Sequence, residues 1–182
     1  MARVPYLDAA DLAPENRDLL ARKVNIYRAM AHSPDGTRAF LTLAQYIRFH
    51  SKIDPRLREL AILQVGYAAR SPYEYSHHIK IGREFGVTDD DIRAMEAESK
   101  GESTDLAPLA KAVLRAAREL TAQPSLSDAT LAELRKGMDA GQLVDLLMTI
   151  SFYTGVVRML GALQIDVEDD YRQYLETFPL PA

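Results

Sequence analysis

The chain has 182 residues, 47% hydrophobic and 26% charged, with 22 Lys and Arg against 26 Asp and Glu for a formal net charge of −4. That length suits one domain with a sizeable core and is short for two, and the interleaved charges form no basic stripe of the kind that grips nucleic acid or an anionic membrane surface. No cysteine is present, which removes disulfides, thiolate metal ligands and thiol catalysis together.

The first residues, Met1 to Asp8, have no apolar signal core. No apolar run is read as reaching the roughly 18 residues of a membrane span, so the expected location is the cytoplasm, without membrane or nucleic-acid partners. Pro5 to Pro14 reads as an extended segment punctuated by Pro and Asp. Asn16 to Ala31 spaces Leu19, Leu20, Val24, Tyr27 and Met30 helically. Ser33-Pro34-Asp35-Gly36 reads as its stop, and a second helix fits Thr37 to His50. Asp54-Pro55 is a start signal, Asp capping and Pro at the first helical position. The helix it opens, Pro55 to about Arg70, is apolar over most of its circumference and is expected to be buried.

Ser71-Pro72 repeats the signal and opens Tyr73 to Phe85, with Gly86 as a C-terminal glycine. Thr88-Asp89-Asp90-Asp91 caps a short helix to Ala97. Pro108 to Ala122, Ser127 to Lys136 and Gln142 to about Leu163 follow as helices. Asp166 to Phe178 is a polar, partly helical tail, solvated or packed on a partner. No stretch alternates between hairpin turns, so strands are not expected. The sum is one all-α domain, 1–182, of seven to nine helices.

The stretch from Glu59 to His78 carries the chemistry-bearing residues. Glu59 is a carboxylate in an otherwise apolar helix, so it is exposed on one stripe or buried and paired. Glu74 and His78 lie four apart, and Glu74 and His77 three apart, so either pair can meet on one helix face.

Read together as Glu59-x11-Ser71-x2-Glu74-x3-His78, these residues resemble the Glu-x11-Cys-x2-Cys-x3-His pattern of the carboxymuconolactone decarboxylase and alkylhydroperoxidase D family. The flanks, Pro55 to Glu59 and Lys80 to Ile92, are similar too. The last helix, Tyr153 to Leu163, resembles that of a cysteine-free subgroup. The resemblance implies an AhpD-like helical bundle with its family core at about 37–123, and a homo-oligomer. An oligomer would also cover the apolar third and last helices.

In the peroxidase branch two cysteines reduce a peroxide. Here Ser71 and Glu74 stand in their places, and serine cannot cycle through sulfenate and disulfide. The decarboxylase branch works without redox thiols. On that model Glu59, His78 and Glu74 are the catalytic candidates, with His78 as proton shuttle and Glu59 orienting it or acting as base. Tyr73, Tyr75, Ser71 and His77 are the candidate substrate-binding residues, a tyrosine donating to a developing oxyanion.

The implied activity is a thiol-independent, lyase-type reaction on a small organic acid or lactone, with no cofactor and no metal. Adjacent His77 and His78 point about 100° apart on a helix and seldom share one ion. Holding a substrate carboxylate would need a cation, with Arg48, Arg70, Arg83 and Arg158 as candidates. The plainer alternatives are an ion pair of Glu59 with Arg56 or Arg58, a structurally paired His78, packing roles for Tyr67, Tyr73 and Tyr75, and a core ion pair for Arg158. Two other functions stand beside the enzyme reading: a non-catalytic helical oligomer that binds a ligand or partner, and a peroxidase by family label only.

Overall fold

A computed structural model describes residues 2–181, and every regular element among them is helical. Two short 3-10 segments, Ala9–Asp11 and Pro14–Leu20, precede nine α-helices: α1 (Asn25–Met30), α2 (Pro34–Phe49), α3 (Pro55–Ala68), α4 (Pro72–Glu84), α5 (Asp89–Ser99), α6 (Pro108–Ala122), α7 (Asp128–Gly137), α8 (Ala140–Leu163) and α9 (Asp169–Thr177).

Helix α3 is the axis of the molecule. Asp54 accepts a hydrogen bond from the Leu57 backbone N–H at 3.0 Å and Pro55 fills the first turn, as its start signal requires. Every residue from Arg58 to Tyr67 is buried, because α4, α6 and α8 surround the helix on three sides. Two apolar clusters meet on it. Ala61, Ile62 and Val65 face Val113, Leu146, Ile150 and Val157, while Leu60, Leu63 and Tyr67 face Ile79, Ile92, Met95 and Leu114. Each fully buried aliphatic side chain of this kind contributes about 1.5–3 kcal/mol. Gly66 lets α4 come close: a Cβ there would lie 3.1 Å from the Tyr75 backbone nitrogen. That close approach sets α4 beside α3 and with it the site described below.

The structure departs from the sequence reading in four places. The single helix expected over Asn16 to Ala31 is broken: a 3-10 segment ends at Leu20, Val24 is extended, and α1 starts at Asn25. The Asn25 N–H donates to Glu168, 143 residues away, at 2.6 Å, a tertiary contact invisible to local spacing. Ser33-Pro34 opens α2 rather than stopping a helix, with Pro34 in the first turn. The polar tail is α9, packed on α4 of the same chain, with Phe178 only 1% exposed. Helix α8, expected to fall short of a membrane span, is long and apolar enough to cross one by length and composition. One of its faces is in the core while Val144, Met148 and Arg158 are exposed, so Arg158 has no core ion pair.

Candidate active site

Glu59 and His78 face each other from α3 and α4. His78 Nδ1 lies 2.7 Å from Glu59 Oε2 and Nε2 lies 3.0 Å from Glu74 Oε1, so the imidazole sits between two carboxylates. Behind it, Arg58 donates through Nε to Glu59 Oε1 at 3.0 Å and lies over the Phe85 ring at 4.5 Å. Arg58, Glu59, Glu74 and His78 are each 4% exposed or less. Four ionisable groups have thus left water together, which is tolerable only because their charges alternate. The ion pair of Glu59 with Arg58, an alternative to the His78 contact in the sequence reading, coexists with it.

Burial opposes charging His78, but Glu74 and Glu59 outweigh it and hold its pKa up, at about 9. Burial would also raise Glu59, but His78 and Arg58 prevail and hold its carboxyl below the usual range. At neutral pH His78 is therefore an imidazolium held against the Glu59 carboxylate.

These directions fix a stability profile. With an ordinary His pKa of 6.5 in the unfolded chain, the His78 contribution is fully present below about pH 6.5 and lost as pH rises through about 9. With an ordinary Glu pKa of 4.5, the Glu59 contribution is present above about pH 4.5 and lost in more acid solution. Urea unfolding across pH should therefore show greatest stability at about pH 5–6.5 and a decline toward pH 9 that His78→Gln flattens. An unchanged alkaline decline in that variant would refute a charged His78.

A small cavity of about 60 Å³ opens beside His78, enough for a few waters or the reacting end of a larger molecule. Glu74, His77, His78 and Tyr73 reach it from α4, Arg48 and Phe40 from α2, and Tyr153 and Phe152 from α8. Glu59 is not among its lining residues, so it acts on the cavity only through His78. Tyr153 packs edge-on to His78 with ring centroids 5.0 Å apart. Burial, Glu74 and Glu59 push its hydroxyl pKa up, while the nearby Arg48 cation pulls the other way, so it remains a protonated donor. Arg22, Tyr27, Ala44 and Arg48 also line an outer chamber of about 330 Å³ rimmed by Phe49.

The remaining candidates separate. Tyr73 lines the cavity, but its hydroxyl donates to Glu168 at 3.0 Å and accepts from the Ile26 N–H at 3.2 Å. His77 donates through Nδ1 to the Tyr73 carbonyl at 2.8 Å and stacks between Tyr73 and Tyr171. Its Nε2 lies 3.1 Å from Glu168, so His77 and His78 serve different carboxylates. Tyr75 is fully buried in the second apolar cluster, its hydroxyl donating to Glu96, on the far side of α4 from the cavity. Ser71 is also absent from the cavity and lines a separate depression at the start of α4. Among the described residues no group of three or more His, Asp or Glu side chains is arranged to hold a metal ion.

Sequence reasoning missed Tyr153 and Arg22. Arg48 was one of four candidate cations, and nothing in the linear pattern singled it out.

Residues 34–119, which run from the first residue of α2 into α6, match the Carboxymuconolactone decarboxylase family. The chain carries a carboxymuconolactone decarboxylase family domain. The family segment supplies Arg48, Glu59, Glu74 and His78, whereas Arg22 and Tyr153 come from outside it. No curated protein matches the chain by sequence.

Its fold is shared with an uncharacterized peroxidase-related protein with an alkylhydroperoxidase AhpD core from Ralstonia eutropha JMP134. That structure has a TM-score of 0.79 at 20% identity, over 93% of this chain and 94% of that one. A debrominase, Bmp8, in a cysteine-to-alanine form bound to 2,3,4-tribromopyrrole, has a TM-score of 0.81 at 19% identity, over 98% and 100%. A peroxidase-related protein from Silicibacter sp. TM1040 has a TM-score of 0.72 at 17% identity, over 93% and 92%. At these identities the likeness establishes the fold.

Proposed function

We propose that the chain is a thiol-independent acid–base enzyme, lyase-like, acting on a small organic acid or lactone. The observation that carries this reading is the cavity in which a carboxylate, an imidazolium and a Tyr–Arg pair converge: Glu74, His78, and Tyr153 with Arg48. The absence of cysteine argues against a thiol peroxidase despite the fold.

The roles follow from position. Arg48 and Arg22, at the junction of the two chambers, hold a substrate carboxylate. Tyr153, polarised by Arg48, donates to the carbonyl oxygen that becomes an enolate. In a decarboxylation the C–CO2 bond breaks, its electron pair passes into the conjugated carbonyl, and CO2 leaves. His78 then gives its proton to the carbon and regains one from solvent through Glu74, which touches both His78 and the cavity. Glu59 holds the imidazole in place from behind. The Val144 and Met148 face of α8 is exposed and lies next to Tyr46, which bonds to Asp145; it suits a second copy in a homo-oligomer, and the cytoplasm is the proposed location.

The test is a panel of unsaturated lactone and keto acids, scored for CO2 release and for deuterium uptake in heavy water. One member should turn over, and His78→Gln should reduce its kcat at least about a hundredfold. Undiminished turnover in that variant would remove His78 from the mechanism. The tightness of the inner cavity favours one other reading, a ligand-binding oligomer without catalysis, which binding without turnover across the panel would support.

A further inference from the structure

The cavity beside His78, at about 60 Å³, is less than half the roughly 150 Å³ of a pocket that admits benzene. A ring is therefore too large for it, and only an arm of a few heavy atoms fits. The outer chamber, at about 330 Å³, falls in the range of roughly 300–1,000 Å³ typical of small-molecule sites. The two spaces share Arg22, Tyr27, Ala44 and Arg48 as a common neck.

Leu19, Ala21, Leu41 and Phe49 make the outer chamber largely apolar. Phe49 is 64% exposed at its rim, a ring face that a bound apolar body would cover. Neither Arg22 nor Arg48 has a carboxylate partner among the described residues. One carboxylate residue lines each space, and both are already engaged. Asp18 is held by Arg38 at 2.8 and 2.9 Å on the outer side, and Glu74 lies 3.0 Å from His78 on the inner side. The neck thus carries two unanswered positive charges between a narrow polar space and a wide apolar one.

We infer that the chain binds an open-chain acid branched at the carbon that bears its carboxylate, of the kind of a 2-substituted 3-oxo acid. The carboxylate sits at the neck between Arg22 and Arg48. A short inward arm reaches His78 and Tyr153, and an aryl or branched alkyl arm fills the outer chamber against Leu41 and Phe49. Charge complementarity places the carboxylate, and the difference in volume decides which arm goes where. The inference rests on the acid–base reading for the role of the inner arm. It narrows the substrates of that reading from lactones to open-chain acids, because a lactone ring exceeds the inner space.

Isothermal titration of the full chain with unreactive acids tests this without turnover. Butanoate carries the carboxylate and the inner arm, 2-benzylbutanoate adds the outer arm, and 2-benzylbutanamide removes the charge. The benzyl acid should bind at least about tenfold tighter than butanoate, and at least about tenfold tighter than its amide. Leu41→Trp, which fills the outer chamber, should erase the gain from the benzyl group and leave butanoate affinity unchanged. Phe49→Ala, at the exposed rim where folding is least at risk, should cut that gain about threefold. Equal affinities for the two acids, or a benzyl gain that survives both variants, would overturn the outer subsite. An amide that binds as tightly as its acid would overturn the arginine neck. The expected binding pattern with no turnover of 2-benzyl-3-oxobutanoate keeps the subsites and removes the enzyme. Turnover of a compact lactone that 2-benzylbutanoate fails to inhibit keeps the enzyme and overturns the subsites.

Discussion

Replacing Glu59 by Ala is expected to lower the unfolding free energy by about 3–5 kcal/mol, a large part of the roughly 5–15 kcal/mol that holds a domain folded. The size follows from what remains. Arg58 is 2% exposed and its guanidinium bonds to Glu59, so truncation leaves a buried cation with only the Phe85 ring beside it. His78 keeps Glu74 but loses the 2.7 Å contact on its other nitrogen. Glu59→Gln should fall between the extremes, since an amide oxygen can still accept from His78 without neutralising Arg58. Pairing Glu59→Ala with His78→Ala should cost less than the sum of the single changes, because both act on one network. Urea unfolding at pH 6 measures all of these. A loss under about 1 kcal/mol for Glu59→Ala would mean that water reaches Arg58, and the buried-network description would be wrong.

The frame around that network was readable in the sequence for local reasons. Asp54-Pro55 and Ser71-Pro72 mark helix starts by chemistry confined to a few residues, and the spacing from Glu59 to His78 crosses one tight turn, so α3 and α4 had to lie side by side. Glu74 and His78 meet because four residues make about one turn. Where the reading erred, the deciding contact was remote or the same signal had two meanings. Ser33-Pro34 carries the start signal of Ser71-Pro72, but Gly36 after it suggested a stop. The break before α1 is held by Glu168, from the far end of the chain. Arg158 was expected to need a partner in an apolar helix, but one face of α8 is exposed and the arginine lies on it. Spacing placed Tyr75 beside the site, yet its side chain leaves α4 on the opposite side and bonds to Glu96. Arg48 and Tyr153 enter the cavity from α2 and α8, and only packing brings those helices together.

The same geometry divides labour between the two carboxylates, and the division can be measured. Glu74 touches both the cavity and His78, whereas Glu59 touches His78 and Arg58 but not the cavity. Glu74→Gln should therefore lower kcat on a panel substrate by about 10²–10⁴. It should disturb folding less than Glu59→Ala, because it leaves His78 paired to Glu59 and Arg58 untouched. It should also move the alkaline limb of the pH–rate profile toward neutrality, since one of the two carboxylates that hold the His78 pKa at about 9 is gone. Glu59→Gln makes the contrast: it would move the same limb, but with a loss of stability and a smaller loss of kcat, as expected for a residue that positions the imidazole. If Glu74→Gln retained full turnover while Glu59→Gln abolished it, the proton would have to travel through the buried side of His78, and the cavity would be a binding chamber rather than the place of reaction.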